Sequence, residues 1–209
     1  TRISISCYMP KQKNKFIFGI TGNIGCGKST VAAIFKTKDC QLIDADSLGH
    51  DLLSAGAGVY RKIRRSFGQG ILNPDNSIDR AKLAKIVFTD KKALAKLNGI
   101  TRPALIKEIN RLIKNSNKRI IILDAALIIE AGLRRMVDKL VVVTAKKNQQ
   151  IGRGRKRLGF KSGQIRMRLK SQISQKEKSR FADFIIDNSG SISKTRKQVL
   201  EIRRKLWKS

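Results

Sequence analysis

The residues with the clearest chemistry lie near the start of the chain. The run Gly22-Asn-Ile-Gly-Cys-Gly-Lys28-Ser29-Thr30 matches GxxxxGK[ST] in full. Glycines at this spacing let the backbone curl until successive N–H groups face one anion. The N-terminus of a following helix adds a positive partial charge. Lys28 can span the β- and γ-phosphates of a nucleotide, and the Ser29 hydroxyl can ligate Mg2+. The spacing therefore predicts an ATP site built from Gly25, Cys26, Gly27, Lys28, Ser29 and Thr30, with Mg2+ as the accompanying ion. Cys26, inside the loop, reads as a tolerated small residue rather than a redox-sensitive thiol.

Carboxylates are the second ingredient, and the chain has only 15 acidic residues. Asp124 ends an apolar run and suits an acid that holds Mg2+, with Ser29 as the other ligand. Asp44-Ala-Asp46 follows another β-prone run. Asp46 reads either as a base or orienter for an attacking hydroxyl, or as the N-cap of a helix that starts at Ser47. His50, the one histidine, sits four residues after Asp46 and shares a helix face with it.

Those groups converge only if particular elements carry them. Phe16–Thr21, Gln41–Asp44, Arg119–Asp124, Lys139–Thr144 and Asp183–Ile186 are apolar and β-prone, as buried strands are. Helical spacing appears at Ser29–Phe35, at Leu83, Ile86 and Val87, and at Leu105, Ile109, Leu112 and Ile113 with Pro103 in a first turn. Val199, Ile202 and Leu206 give a last helix its apolar stripe. Strands alternating with helices predict an α/β fold, a three-layer doubly wound parallel sheet. In such a sheet the strand C-termini open on the edge that carries the phosphate loop. Residues 55–117 read as a mostly helical insertion, and 146–180 as a basic helical lid with Gly152, Gly154, Gly159 and Gly163 as flexible points. Residues 1–15 contain no acid and read as a flexible basic extension ahead of one kinase-type domain at 16–209.

Composition narrows the function classes. No apolar run approaches the ~20 residues of a membrane helix, so no membrane partner is expected. Three cysteines without a CxxC pair argue against disulfides and zinc, and for a reducing, cytoplasmic setting. The net charge is +31. It attracts polyanions in general, but aromatics are only 5%, which leaves no stacking platform, so no specific nucleic-acid partner is expected. An Asn-Lys-x-Asp guanine signature is absent, which counts against a GTPase switch.

The order of these features is similar to that of the dephospho-CoA kinase family. The resemblance rests on Gly22 to Thr30, Ile43-Asp44-Ala45-Asp46 with His50, and Leu123-Asp124-Ala125 with Glu130. It continues through Val141–Val143, Gln150, Arg153, Arg157, Gln172, Lys178, Ala182-Asp183, and Ile186-Asp187-Asn188 with Gly190, covering roughly residues 16–208. It implies transfer of the ATP γ-phosphoryl group to the 3′-hydroxyl of dephospho-CoA. The substrates are then small molecules, ATP and dephospho-CoA. It further implies Lys28, Asp46 and Arg153 as catalytic residues, a lid that carries Arg153 and Arg157, and Asn188 and Gly190 near the adenine. Two positions depart from the family pattern: Arg102 precedes Pro103 where a histidine is usual, and Ala126 replaces a proline. Another small-molecule kinase, such as a nucleoside monophosphate kinase, is the rival reading.

Overall fold

Strong β-formers make up most of the five strands: β1 (Phe16–Thr21), β2 (Cys40–Asp44), β3 (Ile120–Asp124), β4 (Lys139–Thr144) and β5 (Phe184–Asp187). The computed structural model describes residues 15–54, 58–159 and 161–206. Of the basic extension expected at 1–15, residues 1–14 therefore lie outside the described residues. All five strands are parallel, in the order β2-β3-β1-β4-β5. Strands β1 and β4 have the expected bounds, β2 and β3 move by a residue at their first end, and β5 moves by a residue at both. The largest shift is in β5, where Asp183 lies just before the strand. Its carboxylate accepts the Leu140 N–H at 2.8 Å and contacts Lys139 and Arg134, each at 3.1 Å. Burial pushes the Asp183 pKa up, but that N–H, Lys139 and Arg134 outweigh it and hold the carboxyl below its ordinary value. Asp183 thus fastens the N-terminal edge of the sheet, opposite the edge that bears the phosphate loop.

The central strands are buried on both faces, which explains their unbroken apolar runs. Phe18, Ile20, Ile122, Val141 and Val143 pack with Val31 and Phe35 of α1 (Lys28–Phe35) and with Val199, Ile202 and Leu206 of α9 (Ile192–Leu206). Phe18 and Phe35 meet edge to face, with ring centroids 4.6 Å apart. Each such fully buried side chain contributes roughly 1.5–3 kcal/mol. On the other face Ile17, Ile121, Leu123, Leu140 and Val142 are also buried.

The described residues fall into two compact units. One holds the sheet: residues up to Asp44 and from Ser116 onward. Besides α1 and α9 it contains α6 (Lys147–Leu158), α7 (Ser162–Ser171) and α8 (Gln175–Ser179). The other unit, Ala45–Asn115, holds α2 (Ala45–Asp51), α3 (Gly58–Phe67), α4 (Arg80–Thr89) and α5 (Lys91–Asn115). Its core is Val59, Tyr60, Ile63, Ile71, Ile78, Leu83 and Val87. Asp79 caps α4, its carboxylate accepting from the Ala81 and Lys82 N–H groups at 2.9 and 3.0 Å.

Two local expectations fail in this unit. Pro103 lies in the middle of α5, not in a first turn. The helix runs through it for 25 residues, because the apolar faces on either side of Pro103 pack as one, with Leu94, Leu97 and Ala104 against the same cluster. Ile86 is 39% exposed, while Leu83 and Val87 are buried. The buried stripe of α4 is therefore narrower than the sequence pattern suggests. Among the described residues no helix is long and apolar enough to cross a membrane.

Candidate phosphate-transfer site

Strand β1 delivers Thr21 to the start of the glycine-rich loop. Gly25 and Gly27 adopt φ of +74° and +89°, a left-handed region that side chains disfavour. Close packing adds a second requirement. A Cβ on Gly25 would lie 2.2 Å from the Gln150 carbonyl oxygen, and one on Gly27 would lie 2.0 Å from Asn188 Nδ2. Gly27 is also the residue from which α1 starts, so the first-turn N–H groups of α1 follow directly. Ser29 and Thr30 are exposed in that first turn. The Lys28 ammonium donates to the Asp124 carboxylate, forming an ion pair. The pairing follows from register: Ile20 of β1 stands beside Asp124 of β3, and Asp124 beside Asp44 of β2.

The loop rests on a buried polar scaffold. The Cys26 carbonyl accepts from Asn188 Nδ2 at 2.8 Å and from Arg153 Nη1 at 3.4 Å. Arg153 Nη2 also donates to the Asn188 carbonyl at 2.9 Å. Asn188 Oδ1 in turn accepts from Thr195 Oγ1 at 2.8 Å. Asn188, expected near an adenine, thus has both ends of its side chain committed under the loop. Gln150 is buried and donates to the Ala145 carbonyl at 2.7 Å. Thr195 escaped the sequence reading entirely, because Asn188 lies ahead of α9 and only the fold of the turn between them brings the two side chains together. Cys26 is fully buried, and burial pushes its thiol up to about 11. The thiol therefore stays protonated, in keeping with a small filler rather than a redox centre.

The acids separate. Asp124 is buried and Asp44 is exposed at its strand end. Asp46 is the second residue of α2, in its first turn rather than at its N-cap, and is half-buried. Its carboxylate there still favours the positive end of the helix. His50 is exposed in the last turn of the same helix. Among the described residues no three His, Cys, Asp or Glu side chains cluster as metal ligands. One carboxylate and one hydroxyl, Asp124 and Ser29, nonetheless suit Mg2+, which takes few protein ligands and completes its shell with phosphate oxygens and water.

The basic stretch forms α6, α7 and α8. Arg153 faces the loop, Arg157 is exposed one turn on in the same helix, and Gly190 lies exposed in the turn before α9. Gly154 is not a flexible point: a Cβ there would meet Ile165 Cδ1 at 2.9 Å, so it lets α6 and α7 touch. Gly159 does end α6 in a left-handed turn.

Comparisons with known proteins agree with this geometry. The family model described as dephospho-CoA kinase matches residues 16–194. A dephospho-CoA kinase of Aquifex aeolicus is 45% identical over 189 residues, covering 90% of this chain and 96% of the relative. The solved structure of TT1252 from Thermus thermophilus superposes with a TM-score of 0.81 at 26% identity, over 93% of this chain and 99% of that one. A dephospho-CoA kinase from Campylobacter jejuni gives a TM-score of 0.64 at 30% identity, over 92% and 97% of the two chains.

Proposed function

Because the chain belongs to the dephospho-CoA kinase family, we propose that it transfers the γ-phosphoryl group of ATP to the ribose 3′-hydroxyl of dephospho-CoA, giving ADP and coenzyme A. The observation that carries this reading is the phosphate loop itself: two left-handed glycines, a helix starting at Lys28, and a carboxylate at the neighbouring strand end that engages Lys28. Phosphoryl transfer asks mainly for positioning and charge neutralisation, and these groups supply both. The loop N–H groups and Lys28 hold the ATP phosphates. Arg153, which already reaches the loop, and Arg157 from the same helix offset charge on the transferred group. Mg2+, when bound, would neutralise phosphate charge, with Ser29 and Asp124 as its protein ligands. Asp46 accepts the proton of the attacking hydroxyl or orients it.

In this reading the helical unit of residues 45–115 receives the pantetheine arm of the acceptor. The lid of residues 146–180 excludes water, which limits wasteful hydrolysis of ATP. A cytoplasmic setting belongs to the same reading, supported by the buried free thiols Cys26 and Cys40.

The test is ADP release with dephospho-CoA, AMP and other nucleotide acceptors, from low salt to about 0.5 M, where screening lengths fall to a few Å. Diffuse positive charge attracts every one of these anions, so salt should weaken binding of all. The preference for dephospho-CoA should survive, since it depends on local contacts. A preference that collapses with salt, or AMP as the better acceptor throughout, would replace this reading with a general nucleotide kinase.

A further inference from the structure

Two fully buried side chains donate to a single backbone oxygen. Thr21 Oγ1, at the end of β1, lies 3.1 Å from the Ala126 carbonyl oxygen, and Lys178 Nζ, in α8, lies 2.6 Å from it. Lys178 also pairs with Glu130, at 2.9 Å to Oε1 and 3.1 Å to Oε2. Glu130 Oε1 accepts the Ile173 N–H at 3.1 Å. The segment around Ile173 closes a circuit back to the phosphate loop. Asn23 Nδ2 donates to the Ile173 carbonyl at 2.9 Å, and the Ile24 N–H donates to Gln172 Oε1 at 3.1 Å.

A lysine at 0% exposure is costly to desolvate, and an apolar side chain would fill the space more cheaply. What the ammonium adds is direction. It binds two fixed acceptors, one of them a carbonyl two residues beyond Asp124. That carbonyl survives whether residue 126 is alanine or proline, so the departure from the family pattern at Ala126 leaves the anchor intact. Lys28 engages Asp124 here, and it must turn to the phosphates when a nucleotide enters. Strand pairing and the Ala125 N–H, which donates to the Ile20 carbonyl at 3.1 Å, fix the backbone as far as residue 125, and Lys178 and Thr21 carry that hold on to Ala126.

Resting on the kinase reading above, we propose that Lys178 is a positioning residue for phosphoryl transfer. Through the Ala126 carbonyl and Glu130 it holds the Asp124 segment in register with the phosphate loop while Lys28 exchanges Asp124 for nucleotide phosphates.

The experiment compares Lys178→Met combined with Glu130→Gln against Ile202→Ala, a destabilised control in α9. The paired change removes both charges, and the introduced amide oxygen still offers an acceptor to the Ile173 N–H. Wild-type turnover with dephospho-CoA tests the kinase reading. The ratio of variant to control, taken with whichever acceptor the wild type uses, tests the proposal. Misplaced groups lower kcat more than ground-state binding, so kcat should fall about tenfold while the KM for ATP stays within about twofold. A kcat equal to the control's means that Lys178 is structural only and overturns the proposal. If the paired variant does not fold, Glu130→Gln alone carries the test, since it weakens one of the two acceptors through which Lys178 holds the segment and keeps the shape. There kcat should fall about threefold at unchanged KM, and an unchanged kcat overturns the proposal equally.

Discussion

The sheet unit and the helical unit bury different chemistry. Among the described residues, every buried polar or charged side chain (Thr21, Asn23, Asp124, Gln150, Lys178, Asn188 and Thr195) belongs to the sheet unit. The core of the helical unit is aliphatic and aromatic, with only the Tyr60 hydroxyl reaching a carbonyl, that of Asn76 at 2.5 Å. The difference has a physical cause. A phosphate is held by backbone N–H groups, which have no side-chain freedom with which to adjust, so the loop's own carbonyls must be pinned from beneath. Buried hydrogen bonds are directional and do this; apolar contacts are not. A helix hairpin needs only a filled interface. The comparison teaches that buried polarity in this molecule marks where geometry matters, and buried apolar area marks where stability matters.

The strongest way to break that comparison is Lys28→Met. Activity should fall by about 10³-fold or more, equivalent to about 4 kcal/mol of transition-state stabilisation, while circular dichroism shows a folded protein. Near-normal turnover in folded protein would remove the chemistry from the sheet unit. Ile63→Ala tests the other side. Ile63 is fully buried in the helical core, so its truncation should cost about 2–5 kcal/mol in denaturant unfolding. At a temperature where the variant is folded, kcat should stay near wild type. A large loss of kcat without loss of stability would show catalytic geometry hidden in an apolar core.

Asp46→Asn sharpens the comparison, because Asp46 is the one proposed catalytic group in the helical unit. Loss of a base or orienter should lower kcat by about 10²-fold, read in the ADP-release assay at saturating ATP. If stability falls and kcat holds, Asp46 is serving α2 alone. The smallest effect concerns Cys26. An unfolded thiol loses its proton near its ordinary value of 9.0, whereas the buried one holds it to about 11. Between these values the folded state binds the extra proton, so this contribution is present below about pH 9 and declines toward pH 11. The decline should reach at most about 2–3 kcal/mol. Cys26→Ala should flatten it in chemical denaturation measured at both ends of the range, and an identical slope in the two proteins would refute the assignment.

Much of the molecule was legible before any coordinates. The phosphate loop, the five strands and the acid at the end of β3 were legible because each is written in neighbouring residues. Covalent spacing alone brings Gly22 through Thr30 together, and continuous β-branched runs such as Ile120–Asp124 have few alternatives to a buried strand. Other features depended on partners far along the chain, and there the sequence misled or was silent. Pro103 reads locally as a helix start, yet packing on both sides carries α5 through it. Gly154 reads as a hinge, yet Ile165 makes it a contact point. For Asn188 the sequence was silent on the partner: its amide donates to the Cys26 carbonyl, 162 residues away.

By itself, then, the sequence determined which groups could bind a nucleoside triphosphate and in what kind of sheet, because local propensity and motif spacing act over a few residues. Only the tertiary structure decided that Lys28 meets Asp124, and that Lys178 and Thr21 share the Ala126 carbonyl. It also decided that Asn188 braces the loop. Those pairings are set by strand order and register, and a buried donor takes whatever acceptor the fold brings within about 3 Å.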